Sequence, residues 1–293
     1  MGQEQPAWQN VPVDKRLLIA AAAVAAAGGV AVTLHTPAAP DVVISTAGQT
    51  AEATAAAARS AKPDNWVVPV SAVSVPAGVL APGAYIDVGT AASGGSCTLG
   101  AGIRAGDRTG FVTAGHCGNG DGDMVRLDSV TGAPLGVLSD ADTSYDSVAE
   151  VLSDSAAVWT NTPAPRAATV AGLPVAGVMT RDGAMTLKRG TPVCFDGATS
   201  GLVCSPLNGA GITSFAIDGV AKPGDSGAPV FVVDGDTGAA TLLGIAKMVK
   251  NMTTVTYLDP ALERLGAQAL ADPTAAAAVA GDPRYSNNVS PLN

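Results

Sequence analysis

Between Cys97 and Leu258 the chain is cut into short apolar runs by clusters of Gly, Asp, Asn and Pro. That punctuation constrains the fold more than any other feature. CTLGAGI, RTGFVTA, DMVRLDS, PLGVLS, DSVAEVL, AMTLKR, TPVCF, GLVCS, ITSFAI, APVFVV, ATLLGIAKMV and TTVTYL have strand length, and GNGDGD, VTGAP, FDGATSG and VDGDTG read as the turns between them. The pattern predicts an all-β sandwich or barrel. Glycine and proline, 35 and 20 of 293 residues, suit so many turns. One helix stands apart near the end. Asp259 reads as its cap and Pro260 as its first position, with Leu262, Leu265 and Leu270 along one side.

Different rules govern the flanks. Leu17 to Leu34, LLIAAAAVAAAGGVAVTL, is an uncharged run of 18 residues. A bilayer-spanning helix needs roughly 17–25, and the run is long for the apolar part of a signal peptide. Lys15 and Arg16 precede it while HTPAAPD follows without a cation, so residues 1–16 are expected in the cytoplasm and the C-terminal bulk outside. Segment 17–34 reads as an uncleaved transmembrane signal anchor or as a cleaved export signal. A buried cytosolic helix fits less well, because polar periodicity is lacking. Either export reading puts the remainder in an extracytoplasmic compartment where disulfides form. Residues 35–82, rich in Ala, Pro, Ser and Thr, read as a flexible tether, 83–270 as the folded domain and 271–293 as a disordered tail. A net charge of −9 gives no footprint for nucleic acid. With two His, and four Cys lacking C-x-x-C spacing, neither a metal site nor a cofactor is expected.

The stretch RTGFVTAGHCGNGDG sets His116 beside Cys117 at the end of an apolar run. For one histidine alone, a buried structural role is the simpler reading. Downstream, AKPGDSGAPVF holds Ser226 within Gly-Asp-Ser-Gly, and between the two TSYDSVAEVL opens an apolar run at Asp146. Acyl transfer needs a nucleophilic hydroxyl, an imidazole to take its proton and a carboxylate to fix the imidazole tautomer. Each piece alone is ordinary turn chemistry; the order His, Asp, Ser with Cys directly after His is specific.

In TAGHC and GDSG the chain resembles the chymotrypsin-like serine proteases, most closely the bacterial streptogrisin and α-lytic protease branch. SCTLG resembles the strand bearing the first cysteine of the histidine-loop disulfide, and VCFDGATSGLVC the branch's second disulfide hairpin. The likeness runs from Tyr85 to Leu270. It implies two six-stranded antiparallel β-barrels with a C-terminal helix and a site in the cleft between them. Ser226 would be the nucleophile, His116 the base and Asp146 the orienting carboxylate, with the N–H groups of Gly224 and Ser226 as the oxyanion hole. Four cysteines allow three pairings; the resemblance selects Cys97–Cys117 and Cys194–Cys204.

Three departures accompany it. The family pairs the Asp of Gly-Asp-Ser-Gly, here Asp225, with a cation. No Ile-Val-Gly-Gly-like activation site occurs, and Phe195 stands where the bacterial branch has Arg, which leaves Lys222, Lys188 or Arg189 as substitutes. The tether is too short to resemble the α-lytic pro-region. The substrate strand, GIAKMVKN, places Lys247, Met248 and Val249 where the family has a small hydroxyl and Gly-rich positions, so the Lys247 ammonium is expected near the triad carboxylate. Val220 and Ala221 fall in the stretch that floors the primary pocket, which implies preference for apolar over basic residues. The implied function is an exported or membrane-anchored serine endopeptidase acting on peptide or protein substrates. The alternative is a catalytically weak relative that binds peptides or cell-envelope partners.

Overall fold

The computed structural model describes residues 64–90, 95–129, 131–146, 151–160, 164–249 and 252–292. The 17–34 segment, its 1–16 flank and the first part of the tether lie outside them. No helix among the described residues is long and apolar enough to cross a membrane.

The architecture is all-β with few helices. One sheet contains β1 (Tyr85–Val88), β2 (Gly95–Thr98), β3 (Gly102–Ala105), β4 (Arg108–Thr113), β5 (Met124–Leu127) and β6 (Pro134–Asp142). A hairpin of β7 (Tyr145–Asp146) and β8 (Val151–Leu152) leads from there into β9 (Ser155–Thr160). Among the described residues the ladder runs β3, β4, β9, β6, β5, β1, β2. Its two ends are halves of one bent run. Leu99 N–H donates to Ala84 O (2.9 Å) on the β1 side, and Gly100 N–H to Val112 O (2.7 Å) on the β4 side. The sheet therefore curls back on itself around Ile86, Ile103, Phe111 and Leu138, all fully buried.

The other sheet holds β10 (Thr169–Val170), β11 (Leu173–Val178), β12 (Pro192–Gly197), β13 (Gly201–Ala210), β14 (Phe215–Ile217), β15 (Pro229–Val233), β16 (Ala240–Val249) and β17 (Met252–Tyr257). In the order β16, β15, β12, β13, β14, β17 it closes into a six-stranded barrel, because β17 pairs with β16 again. Strands with apolar residues on the inward face of such a closed ring bury Val193, Phe195, Val230, Val232 and Leu243. The structure pairs Cys97 with Cys117 and Cys194 with Cys204. By loop-closure entropy each is worth about 3 kcal/mol.

Four expectations are corrected. AMTLKR is not a strand: Thr180 caps helix α1 (Arg181–Met185), accepting from Gly183 N at 2.9 Å. The C-terminal helix α2 (Leu258–Leu265) starts after Tyr257 without a side-chain cap. Asp259 turns instead to the tail, accepting from Ser286 Oγ and Asn288 Nδ2, and Leu270 lies in β18 (Gln268–Ala271). The tail is built, not disordered. β18 pairs with β3, Asp272 caps helix α3 (Pro273–Val279), and β19 (Val289–Pro291) runs parallel to β18. Ala-rich composition suggested looseness, yet alanine is the best helix former once a cap and an unpaired strand edge are supplied. The described end of the tether is packed as well. Val67 N–H donates to Val233 O, Ser74 Oγ accepts from Leu202 N, and the Asp64 carboxylate pairs with Arg284 of the tail at 2.6 Å.

Candidate active site

β4 is apolar and buried over its last four residues and ends in a 3-10 turn, Gly115–Cys117. The turn brings His116 to the surface while Cys117, bonded to Cys97 on β2, anchors it from behind. His116 Nε2 lies 2.9 Å from Ser226 Oγ. On the other side of the ring, Nδ1 lies 2.9 and 3.1 Å from the two carboxylate oxygens of Asp154, and the His116 backbone N–H donates to the same group at 3.1 Å. Hydroxyl, imidazole and carboxylate form one continuous relay.

The orienting carboxylate is thus Asp154, and the expectation of Asp146 is corrected. Asp146 sits in the small β7–β8 hairpin, and its side chain is outside the described part of the structure. Asp154 directly precedes β9, whose pairing with β4 delivers it alongside the turn that carries His116. A signal was present in the sequence: DSAAVW at Asp154 opens an apolar strand as DSVAEV does at Asp146. Burial raises the pKa of Asp154, but the His116 bond and the charges of His116 and Lys247 outweigh it and hold the carboxyl below its usual range. Arg264 of α2, unremarked in the sequence, fixes this corner by donating to Asp140 O, Ser155 O and Ser155 Oγ at 2.8–2.9 Å.

The Ser226 turn is held by a buried carboxylate and by the first sheet. Asp225 accepts from Thr199 N, Ser200 N, Ser200 Oγ and Lys222 N at 2.6–2.9 Å. Among the described residues no cation pairs with it. Lys222 contributes only its amide, Lys188 is exposed, and Arg189 bonds Asn208. Phe195 is wholly buried in the second core. Thr98 of β2 reaches across: its N–H donates to Ser226 O (2.8 Å) and its hydroxyl to Gly224 O (2.7 Å). Gly224 has φ +98°, and a Cβ there would collide with Thr199 Oγ1, so glycine is required. Among the described residues no hydrogen bond takes up the N–H of Gly224 or of Ser226.

Lys247 does reach the relay: Nζ lies 3.2 Å from Asp154 Oδ2, with its side chain 12% exposed. β15 stops pairing with β16 at Ile245 whereas β17 continues to Val249, leaving the β15-side edge of residues 247–249 without a strand partner among the described residues. Met248 and Val220 are exposed, while Ala221 is buried, its N–H donating to Thr253 Oγ1 at 2.7 Å. Of Val249 only the backbone is described, as part of β16.

No protein-family model matches the chain, and no curated protein matches it in sequence. Solved structures resemble it over about two thirds of its length. Thermobifida fusca protease A is 22% identical, covering 66% of this chain and 99% of its own, at a TM-score of 0.49. Nocardiopsis protease is 21% identical (65% and 98% covered, TM-score 0.47), and Cellulomonas bogoriensis chymotrypsin 20% (65% and 97%, TM-score 0.46). What the site can do is read from its own atoms.

Proposed function

We propose that this chain is a serine endopeptidase of two-barrel architecture, hydrolysing peptide bonds through an acyl-enzyme. The observation that carries the reading is the relay Ser226 Oγ, His116 Nε2, His116 Nδ1, Asp154, at 2.9 Å per step. Ser226 Oγ attacks the scissile carbonyl carbon as its proton passes to Nε2. The carbonyl oxygen, now anionic, is held by the N–H groups of Gly224 and Ser226, a donor pair in which one member typically supplies about 10²–10³ in rate. The proton on Nε2 then goes to the departing amine. In the second half His116 takes a proton from water as the water oxygen bonds the acyl carbon; the bond from that carbon to Oγ then breaks, the acid product leaves, and Nε2 returns its proton to Ser226 Oγ. Asp154 holds Nδ1–H toward itself throughout, so that Nε2 stays the acceptor.

An extended peptide fits the open edge of residues 247–249 by adding a strand. Exposed Val220 and buried Ala221, with Asp218 exposed to solvent, support cleavage after apolar residues. Two disulfides support an extracytoplasmic location, reached through the 17–34 segment as anchor or export signal. One observation favours a second reading, a weak enzyme that chiefly binds peptide: the Lys247 ammonium shares Asp154 with His116. Covalent labelling by a fluorophosphonate separates the two. Wild type is expected to label and Ser226→Ala to remain folded and unlabelled; full labelling of Ser226→Ala would overturn the assignment, and a folded wild type that never labels would favour binding without turnover.

A further inference from the structure

Behind the Ser226 turn lies a second buried carboxylate that the proposed reaction does not use. Asp196 of β12 is 1% exposed; the Ser74 hydroxyl and the Val75 N–H act on its carboxylate, yet neither oxygen has a hydrogen bond of good geometry. It lines a cavity of about 130 Å³ together with Ser74, Val75, Tyr85, Asp128 and Gly197. We propose that this cavity is a binding site for a small monovalent cation of the sodium, potassium or ammonium class.

Four observations select that ligand. The first is charge. Asp225, wholly buried, lies just beyond Gly197, where a Cβ would collide with its carboxylate. Neither aspartate takes part in any ion pair among the described residues. A buried carboxylate without a partner is strongly unfavourable, and two side by side more so. Burial and the Asp225 charge push the Asp196 carboxyl up to about 6, against the opposing pull of Ser74 and Val75 N–H. Above that pH a proton no longer neutralises it.

The second is shape. Gly83 has φ +97°, and a Cβ on it would stand 2.6 Å from Asp196 Oδ2, so glycine keeps the space at that oxygen open. The third is size. A water needs about 10–15 Å³ of such volume, so the cavity has room for an ion with its waters. The fourth is the donor set. Among the described residues no three His, Cys, Asp or Glu side chains converge to hold a metal ion. One buried carboxylate, the exposed Asp128 and a hydroxyl make a weak oxygen field. Such a field suits a singly charged ion better than calcium, which takes 6–8 oxygens, or magnesium with its strict octahedron. Because Asp225 directly precedes Ser226, a cation here also steadies the turn that presents the oxyanion donors.

The test reads stability, so it stands whether or not the protease assignment holds. Thermal unfolding of the whole chain is followed at about pH 8, above the Asp196 titration, in sodium, potassium, ammonium or N-methylglucamine chloride at equal ionic strength. Binding to the native state alone raises the midpoint with ligand concentration. A saturable rise of about 2–4 °C in at least one small cation over N-methylglucamine is expected. Asp196→Asn should abolish it, and Asp128→Asn, on the surface, should move its half-saturation to higher concentration. Equal midpoints in all four salts, or an unchanged response in Asp196→Asn, overturn the proposal. So does a midpoint that follows pH through 6 identically in every salt, since a proton alone then satisfies Asp196. Should Asp196→Asn fail to fold, an unshifted titration in Asp128→Asn is the overturning result.

Discussion

Replacing Lys247 by methionine tests how the ammonium at the relay acts. Lys247 Nζ and His116 Nδ1 stand 3.2 and 2.9 Å from the same oxygen of Asp154, so they lie within about 6 Å of each other. At an effective dielectric of about 20, two unit charges at that separation repel by about 2.8 kcal/mol. The imidazole side chain is 44% exposed, and solvent screening brings the figure to about 1 kcal/mol. The repulsion exists only once His116 carries the proton taken from Ser226. It therefore raises the acylation barrier and leaves the resting state alone. Lys247→Met keeps the buried stem and removes the charge, while Asp154 retains both bonds to His116. The rate of fluorophosphonate capture and kcat/KM should both rise about fivefold, with thermal stability little changed and Lys247→Arg behaving as wild type. A folded Lys247→Met with an unchanged or slower rate would refute the reasoning. The ammonium would then be serving to place Asp154, not to burden His116.

Two further outcomes follow from the same geometry. Asp154→Asn should fold normally yet lose about 10⁴-fold in kcat, because an amide no longer fixes the tautomer of His116, whereas Asp146→Asn should change kcat little; the pair is compared by steady-state kinetics. Asp282 is held below the usual carboxylate range chiefly by its bond to Arg284, against burial. Its folded pKa lies under its unfolded one, so its contribution to stability is present above about pH 4 and lost as pH falls through the folded value. In urea melts taken from neutral to acid pH, Asp282→Asn should be less stable at neutrality and should show a shallower acid decline.

The parts of the site that were legible in the sequence are those carried by contiguous residues. His116 next to Cys117 and Ser226 within Gly-Asp-Ser-Gly announce themselves because the turn chemistry and the reactive group share a few positions. Asp154 was hidden by duplication: two runs begin Asp-Ser and end in apolar residues, and only the β4–β9 register decides which one meets the histidine. The satisfaction of Asp225 was illegible for another reason. Its partners are mostly backbone amides of residues 199, 200 and 222, and amides carry no residue-type signature. Strand spacing gave the all-β class, since alternation and turn residues are local. The tail and the tether were misread because their order comes from edges offered by the rest of the fold: β3 receives β18, and Val233 receives Val67. Composition registers what a segment can bury, not what another segment presents to it.

Thr98 has a consequence for the order in which the molecule matures. Its amide and hydroxyl hold Ser226 O and Gly224 O, its hydroxyl also accepts from Ala198 N, and its neighbour Cys97 is bonded beside His116. One dipeptide of the first sheet thus touches the base through sulfur and the nucleophile's turn through hydrogen bonds. The closed barrel can complete its own ladder without β2, but its serine turn lacks two of its anchors until the two sheets have docked. Alignment of the serine turn with the histidine thus depends on both sheets at once. A chain with Cys97 still reduced carries every residue of the relay but lacks the bond that ties the strand of Thr98 to the turn of His116.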